Sequence, residues 1–386
     1  MTEHRRLSVP GYLAALVCVG VVVAMPLVAE LVNNSADEFD SRHFATGPAF
    51  GWLLCALLVA IVVTRRMQIL LSVEEGSVLA IAYDALPILL VIAWIVAIAA
   101  LISGHWLLAV AAGGLCLYHV VLVVPRTVRV KRPRWTRTAP TIELVVANVY
   151  IDNETPADAA QQLIEARGDV IVLVEATPGF MEIFDSAGGA DAYPHRISDP
   201  DDDSDYAVAI ASRSPLGPRT LMTRIGPLRL AVADIDVDGT PTLVVALNPM
   251  AAVDPGGHVT WKQQIGVLKE FVPTLTGPLI IAGDLNTTRY RPEFEELLSL
   301  GLSDAFDSLG KGLDPSFKLS ADGLLSSVGA VARLDHALVN KDMHALDVQN
   351  LEPRGSDHLP FKIRVAVRPA HDGGSSRKPT TVQAVG

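Results

Sequence analysis

The stretch "LIIAGDLN", Leu279 to Asn286, is a short apolar run that ends in a carboxylate and a carboxamide. An aliphatic run of this length followed by glycine is typical of a buried strand. The polar residues come where the strand ends. We therefore predict a sheet whose strand ends carry functional groups, and the rest of the C-terminal half repeats this arrangement.

Downstream of Thr141, short β-branched runs alternate with turns and helical stretches. Besides "LIIAGDLN", the predicted strands are "IELVVANV", "VIVLVEA", "AVAIAS", "LRLAVADIDV", "TLVVAL", "LDHALV" and "FKIRVAV". The predicted helices are "TPADAAQQLIEAR", which opens with the cap Thr155 and Pro156, and "WKQQIGVLKEFVPTL". Residues 141–368 are therefore expected to form an α/β domain, and the Gly, Ser and Pro-rich residues 369–386 a disordered tail.

Polar side chains lie at the ends of several of these predicted strands. They are Asn148, Glu175, Asp284, Asn286, Asp335, Asp357 and His358. Oxygen donors with one histidine and no cysteine suit a hard cation such as Mg²⁺ or Mn²⁺, which could polarise a phosphoryl oxygen. His358 could neutralise phosphate charge or move a proton, and Asp284 could align water. Each residue alone also fits an ordinary turn. Their occurrence together, in this order and at strand ends, favours a functional site.

The first 125 residues are mostly apolar and are expected to cross a membrane. The predicted spans are Gly11–Val32, Gly47–Thr64, Asp84–Ile102 and His105–Val124. A signal peptide is the alternative for the first, but no small-residue cleavage site stands out. Met67 to Tyr83 carries Glu74 and Glu75, which favours an interfacial segment.

Composition limits the function classes. The formal charge of −11 and pI near 5.4 disfavour a general nucleic-acid binder, which needs a basic face. Cys18, Cys55 and Cys116 all lie in apolar runs, so no disulfide framework or thiolate metal site is expected. No feature of the sequence identifies a protein partner.

The ordered motifs resemble those of a known superfamily. "ANVY", "VLVEAT", "AIASRSP", "GDLNTT", "RLDHALV" and "GSDHLPF" are similar to the motifs of the endonuclease/exonuclease/phosphatase superfamily of metal-dependent phosphoesterases. The resemblance covers about Thr141 to Val367. It implies a four-layer sandwich, in which two mixed β-sheets pack face to face with helices outside and the site lies at the strand ends.

The resemblance also implies roles for individual residues. Glu175 looks like the principal metal ligand, with Asn148 holding the metal-bound network and Asp357 in the same network. Asp284 resembles the aspartate that orients the attacking water, and Asn286 the carboxamide that contacts the phosphate.

In the same resemblance, His358 would bind the scissile phosphate and Asp335 would support it. Two positions depart from the family pattern. Asn248 stands where a phosphate-contacting histidine is usual, and asparagine can donate a hydrogen bond but carries no charge. Tyr206 precedes "SRSP" where glycine-containing sequence is common; it fits either a pocket wall or core packing.

The membrane layout bears on the substrate. Several N-terminal spans before such a domain resemble the layout of teicoplanin-resistance membrane proteins, which implies a lipid-linked phosphate substrate. The sequence therefore predicts a membrane-anchored phosphoesterase that acts on a phosphoester or pyrophosphate of a lipid. The alternatives are a membrane-anchored nuclease and a catalytically weak module that binds phospholipid, which Asn248 keeps open.

Flanking charge predicts the orientation of the spans. Arg5 and Arg6 precede the first span, and residues 126–140 form a basic linker after the last, so an even number of spans places both ends inside the cell. The family resemblance points instead to an external domain. Protease treatment of intact cells is expected to leave residues 141–367 uncut; cleavage without lysis would overturn the cytoplasmic assignment.

Overall fold

The computed structural model divides the chain into two compact units. The first comprises the described residues up to Pro125 with Tyr290–Pro292, and the second all other described residues from Arg126 onward. The predicted span Gly11–Val32 and the predicted tail beyond residue 369 lie outside the described residues. The described ranges are 47–71, 77–199, 204–252, 254–319 and 329–369.

The first unit is helical. Its helices are α1 Gly47–Leu71, α2 Ser77–Asp84, α3 Leu86–Ile102 and α4 Trp106–Val123, which continues as a 3₁₀ turn, Val124–Arg126. Two segments, Ala49–Ile69 and Trp106–Arg126, are long and apolar enough to cross a membrane.

A bend separates α2 from α3. The segments Val78–Asp84 and Leu86–Ile102 meet at 72°, and together they pass the same test of length and hydropathy. The described residues therefore hold two such spans, or three if this bent pair forms one. The four-span arrangement, and the side on which the domain lies, stay predictions.

The chain from Arg126 onward is built of strands and short helices. The strands are β1 Thr141–Asn148, β2 Val170–Val174, β3 His195–Ser198, β4 Val208–Ser212, β5 Leu221–Ile225, β6 Leu228–Val237, β7 Thr240–Leu247, β8 Leu279–Asp284, β9 Ser303–Asp304, β10 Phe317–Lys318, β11 Ala330–Ala332, β12 Asp335–Val339, β13 Met343–Asn350 and β14 Phe361–Val367. The helices are α5 Pro156–Glu165, α6 Pro178–Phe184, α7 Ala190–Ala192, α8 Pro255–Phe271, α9 Pro292–Ser299 and α10 Ala305–Ser308, with a π segment at Asp185–Gly189 and 3₁₀ turns at Arg134–Arg137 and Val272–Thr274.

Twelve of these strands form two mixed sheets. The first has the order β13-β14-β1-β2-β4-β3 and the second β5-β6-β7-β8-β12-β9, while β10 pairs with β11. Within each sheet one central pair is parallel, β1 with β2 and β7 with β8. The other pairs are antiparallel.

Alternation along the strands produces the layers. Val146 and Val172 point into the core between the sheets, while their neighbours Val145 and Ile171 pack on the other side against α5 and α6. The outer face of the second sheet packs against α8 and α9, with Trp261 fully buried there. Two mixed sheets flanked by helices were expected, and the structure confirms them.

Parallel pairing determines where the strands end. Each parallel pair is joined by a helical crossover, α5 between β1 and β2, and α8 between β7 and β8. The carboxyl ends of each pair therefore lie at one edge of their sheet. In the first sheet this edge carries Asn148 and Glu175, and in the second Asn248 and Asp284.

All eight predicted strands are present, and four further strands of the two large sheets were not predicted. These are β3, β5, β9 and β13, of which β9 has only two residues. Two of them, β3 and β5, consist of half-buried or exposed residues and β13 alternates irregularly, so none shows the continuous apolar pattern used to find the others.

Residues 126–140 run along the surface of the second unit. The backbone N–H of Val130 donates to the carbonyl of Ser308 at 2.8 Å, and that of Gly312 donates to the carbonyl of Arg126 at 3.1 Å. These backbone hydrogen bonds hold the linker to the segment around α10.

A glycine before the β8 carboxylate is required by close packing. Gly283 has φ +142°, and a Cβ there would lie 2.2 Å from the carbonyl oxygen of Leu247. We expect Gly283→Ala to lower the free energy of unfolding by more than about 2 kcal/mol, because backbone must move on the neighbouring strand. Thermal unfolding of the purified protein measures this change.

Gly239 supplies the matched control for this substitution. It also has positive φ, +82°, but nothing lies within 4 Å of an added Cβ. Gly239→Ala therefore bears only the cost of the backbone conformation, and we expect the smaller loss. Equal losses at the two positions would show that the contact with Leu247 is unimportant.

Candidate active site

Two strand ends of the first sheet bring an amide and a carboxylate together. Asn148 ends β1 and Glu175 follows β2. Asn148 Nδ2 donates to Glu175 Oε1 at 2.7 Å, and the backbone N–H of Ile151 donates to Oε2 at 2.9 Å. Glu175 has φ +58°, a left-handed conformation that is uncommon outside glycine. These contacts hold the Glu175 carboxylate at the sheet edge.

The second sheet contributes Asp284 and two asparagines. Asp284 Oδ1 accepts from the backbone N–H of Asn286 at 2.7 Å, an Asx turn with Asn286 at φ +49°. Asn286 Nδ2 donates to Asn248 Oδ1 at 3.3 Å and to the carbonyl of Pro249 at 2.9 Å. Asn248 in turn donates to the carbonyl of Asp205 at 2.7 Å. Asn248 is thus part of a hydrogen-bond network with Asn286 and the loop carbonyl of Asp205.

One amide contacts carboxylates of both sheets. Asn148 Nδ2, which contacts Glu175, also lies 3.2 Å from Asp284 Oδ2 on the second sheet. Its Oδ1 accepts from the backbone N–H of Tyr150 at 2.9 Å, which directs the NH₂ group to the carboxylates. Asn148 therefore holds the carboxylates of both sheets in one cluster.

His358 lies between two buried aspartates. Its Nδ1 is 2.7 Å from Asp335 Oδ2 and its Nε2 is 3.5 Å from Asp284 Oδ2. The β8–β12 register places Asp335 directly opposite Asp284, which is why one imidazole can face both. The ring of Phe317 packs against the imidazole, with centroids 5.0 Å apart.

Two serines that the sequence reasoning missed hold this arrangement. Ser316 Oγ donates to Asp335 Oδ2 at 2.7 Å, and Ser356 Oγ donates to the carbonyl of Asn148 at 2.9 Å and accepts from the N–H of His358 at 3.0 Å. Ser356 stands inside "GSDHLPF", so its position beside the motif could have identified it. Ser316 lies in a loop that carries no pattern.

The remaining predicted residues lie at the margin of the cluster. Tyr206 is half-buried, and burial together with the nearby Asp205 and Glu175 carboxylates raises the pKa of its phenol. Asp357 is half-buried beside His358, and its Oδ1 has no hydrogen-bond partner among the described residues. The fold thus brings all nine predicted residues to one edge of the sandwich.

Burial dominates the electrostatics of the carboxylates. It raises the pKa of Glu175 against the hydrogen bonds from Asn148 and Ile151, raises that of Asp357, and raises that of Asp284 to about 7. The positive charge near these carboxylates is therefore too small to offset the cost of burying them in ionised form.

His358 supplies positive charge to the cluster. Burial alone would lower its pKa, but the Asp335 and Asp284 carboxylates outweigh burial and raise the pKa to about 10. The imidazole is therefore a cation at neutral pH, with both ring nitrogens protonated.

The donor set fits a divalent cation on the Glu175 side of the cluster. Asp284, Asp335 and His358 bring ligand-type atoms within 4.8 Å of one another. A protonated imidazole has no lone pair to offer, however, and Asp335 is already bonded to His358. Glu175 and the unpartnered Oδ1 of Asp357 are the better oxygen donors, and a cation there would offset the burial of both.

Residues 145–358, more than half of the chain, match the sequence profile of the Endonuclease/Exonuclease/phosphatase family. The chain belongs to this family. The matched segment begins in β1 and ends at His358, so it includes strands of both sheets and the whole cluster. The family prediction made from the motifs is confirmed. No curated protein matches the sequence.

Several solved structures are similar to this family member in fold. An endonuclease/exonuclease/phosphatase from Beutenbergia cavernae has 15% identity and a TM-score of 0.48, over 59% of this chain and 72% of that one. A 3′ phosphatase from Neisseria bound to product DNA hairpin has 21% identity and a TM-score of 0.47, over 57% and 98%. Staphylococcus aureus beta toxin with bound magnesium ions has 17% identity and a TM-score of 0.41, over 57% and 98%.

Removing either the Glu175 carboxylate or the His358 imidazole from the cluster is expected to stop turnover. We predict that Glu175→Ala and His358→Ala each lower the rate ~100-fold or more, about 3 kcal/mol of barrier, because preorganised charge is lost from the site. The assay is Mg²⁺-dependent hydrolysis of bis(p-nitrophenyl) phosphate by the purified chain, with circular dichroism to verify folding.

The exposed Glu182 on α6 provides the carboxylate control. Glu182→Ala is expected to keep wild-type activity, and a chelator is expected to reproduce the Glu175→Ala result in the wild type. Full activity of the Glu175 or His358 variant, or indifference to the chelator, would show that the site has been misplaced.

Proposed function

We propose that this chain is a membrane-anchored phosphoesterase that requires Mg²⁺ or Mn²⁺ and hydrolyses a phosphoester or pyrophosphate bond of a lipid-linked substrate. The observation that carries the chemistry is the position of the imidazolium of His358, 2.7 Å from Asp335 and 3.5 Å from Asp284, beside the Glu175 carboxylate cluster. Positive charge for a phosphate and carboxylates for a cation and a water thus lie side by side.

Glu175 and Asp357 would hold the cation, with Asn148 fixing the Glu175 carboxylate by its hydrogen bond of 2.7 Å. When bound, a divalent cation supplies Lewis-acid polarisation of a phosphoryl oxygen. Its charge also favours the ionised forms of Glu175 and Asp284, whose pKa values burial raises.

The protein groups then divide the hydrolytic step. Ionised Asp284 accepts a hydrogen bond from the water and takes its proton as the water oxygen bonds to phosphorus. The bond from phosphorus to the leaving oxygen breaks, and the leaving oxygen keeps the electron pair and takes a proton from solvent. His358 donates a hydrogen bond to the phosphoryl group, where its positive charge stabilises the added negative charge. Asp335 keeps His358 charged and oriented.

Asn286 and Asn248 complete the phosphate side. Their amides are hydrogen-bonded to each other and to loop carbonyls, so each is held in one orientation at the rim. An asparagine at position 248 can donate a hydrogen bond to phosphate without bringing charge. This neutral group is the observation that favours the second candidate, a module that binds phospholipid with little turnover.

The lipid part of the proposal is supported by the surface of residues 126–140. The side chains of Val128 and Val130 are 58% and 53% exposed on this segment. The exposed cations interleaved with them are Arg129, Lys131, Arg132, Arg134 and Arg137. Exposed valines between cations suit the headgroup layer of an anionic membrane, where each cation contributes about 1 kcal/mol. The similarity in layout to teicoplanin-resistance membrane proteins stays a prediction.

A substrate panel tests the proposal. The full chain in detergent micelles with Mg²⁺ is expected to hydrolyse a polyprenyl pyrophosphate or a phospholipid at least about tenfold faster than duplex DNA at equal phosphate concentration, because the acidic chain repels a polyanion. A preference for DNA would replace the proposal by the anchored nuclease. Binding of lipid without turnover would replace it by the binding module.

The linker cations provide an independent test. Arg129 and Arg132 hydrogen-bond within the domain, to Leu346 and Thr136, so the variant replaces Lys131, Arg134 and Arg137 by glutamine. Three lost headgroup contacts are expected to lower turnover on anionic vesicles by about 10-fold or more, with soluble ester turnover unchanged.

A variant of equal charge controls for this change. Arg167, Lys341 and Arg364 are exposed and lie away from the linker in sequence, and their replacement by glutamine removes the same charge. We expect vesicle turnover to stay at the wild-type level. Equal losses in the two triple variants would show that net charge, and not the linker surface, attracts the membrane.

A further inference from the structure

A cavity lies beside the cluster and takes no part in the chemistry described above. Its volume is about 250 Å³. It is lined by the residues Asp199, Val208, Met222, Thr223, Arg224 and Arg229. The lining comes from both sheets: Val208 begins β4 of the first, and the residues from Met222 to Arg229 belong to the β5–β6 hairpin of the second.

On the first sheet, strand pairing places the cavity next to the site. Val208 is paired with Val174, the residue immediately before Glu175. Neighbouring strands are about 5 Å apart. The cavity wall is therefore one strand away from the carboxylate that would hold the cation.

Strand pairing in the second sheet also places the cavity next to the site. Leu230 is paired with Leu247, the residue immediately before Asn248. Arg229, which precedes Leu230 on the antiparallel strand, lies at the same end of the sheet as Asn248. The cavity is thus bordered on both sheets by strands whose ends carry site residues.

A buried glutamine ties the hairpin to the catalytic loop. Gln264 of α8 donates through Nε2 to the carbonyl of Pro227 at 3.0 Å and accepts through Oε1 from the N–H of Met250 at 2.7 Å. The carbonyl of Pro249, one residue earlier, accepts from Asn286 Nδ2. The hairpin and the loop that carries Asn248 are therefore held in one arrangement.

The lining has the chemistry of an anion site. Arg224 and Arg229 are always charged, and a guanidinium can donate two parallel hydrogen bonds to a phosphate. Asp199 contributes one negative charge, which leaves an excess of one positive charge among the described residues that line the cavity. The site cluster beside it is by contrast rich in carboxylates, so the arginines are suited to a different anionic group from the one attacked.

We propose that this cavity binds a second phosphoryl group of the substrate, adjacent to the phosphoryl group that is attacked. The proposal rests on the proposed function and narrows its substrate class to molecules with two neighbouring phosphoryl groups. Arg224 and Arg229 contact the group that stays unattacked, and Val208 and Met222 form the apolar part of the wall.

Paired substrates test the assignment. The double variant Arg224→Gln with Arg229→Gln is compared with the wild-type chain on farnesyl pyrophosphate and on farnesyl phosphate. The ratio of variant to wild type on each substrate cancels the intrinsic reactivity of the bond. Loss of charge-assisted contacts is expected to lower kcat/KM about 10- to 100-fold more for the pyrophosphate than for the monophosphate, mainly through KM.

A matched variant removes two positive charges elsewhere. Arg167 and Lys341 are exposed, one before the start of β2 and the other after the end of β12, at strand ends opposite to those that carry the site. Arg167→Gln with Lys341→Gln is expected to leave both substrates unaffected. Equal losses on the two substrates in the Arg224 and Arg229 variant would overturn the proposal and leave these arginines a structural role.

Binding without turnover separates this proposal from the proposed function. Inorganic pyrophosphate is titrated calorimetrically into the full chain in the presence of a chelator, where the carboxylate cluster repels anions. The wild type is expected to bind and the Arg224 and Arg229 variant to bind at least about tenfold more weakly. If no ester is hydrolysed but the variant binds pyrophosphate more weakly than the wild type, the anion site stands and the proposed function fails. Equal binding by the wild type and the variant overturns the anion site.

Discussion

The side-chain amide of Asn148 is the contact on which the arrangement of the site depends. Its nitrogen lies 2.7 Å from a Glu175 oxygen on the first sheet and 3.2 Å from an Asp284 oxygen on the second. One NH₂ group has two hydrogens, so a single residue can satisfy one carboxylate from each sheet. Without Asn148, the buried carboxylates of Glu175 and Asp284 would lose the hydrogen-bond donor that they share. The same residue therefore links the two sheets at this edge and positions the groups of the site.

The cluster is electrostatically incomplete, and this property connects the fold with the proposed function. Burial raises the pKa of Glu175, Asp284 and Asp357, while the positive charge of His358 is largely directed to Asp335 and Asp284. Added positive charge would lower these pKa values, and this is the condition under which a divalent cation binds well. Left-handed backbone at Glu175 and Asn286 is a further cost that the surrounding hydrogen bonds offset.

The cavity with Arg224 and Arg229 concerns the binding of the substrate, whereas the cluster concerns the reaction. The carboxylate cluster and the arginines lie at neighbouring strand ends but have opposite charge. In the proposal, this division separates the phosphoryl group that is attacked from the group that is only bound. Gln264 joins the two parts through its hydrogen bonds to the hairpin and to the loop that carries Asn248.

The sequence by itself determined the buried strands, the polar residues at their ends and the family, because continuous aliphatic runs and motif residues are local features. It did not reveal β3, β5, β9 and β13, whose short or half-polar patterns become strands only through pairing with a neighbour. Tertiary structure alone decided which oxygen faces which nitrogen. Ser316 reaches Asp335 across 19 residues and Asn148 reaches Asp284 across 136, and no local pattern encodes contacts of that separation. The cavity has the same origin, since its lining comes from two sheets that meet only when the core between them is packed.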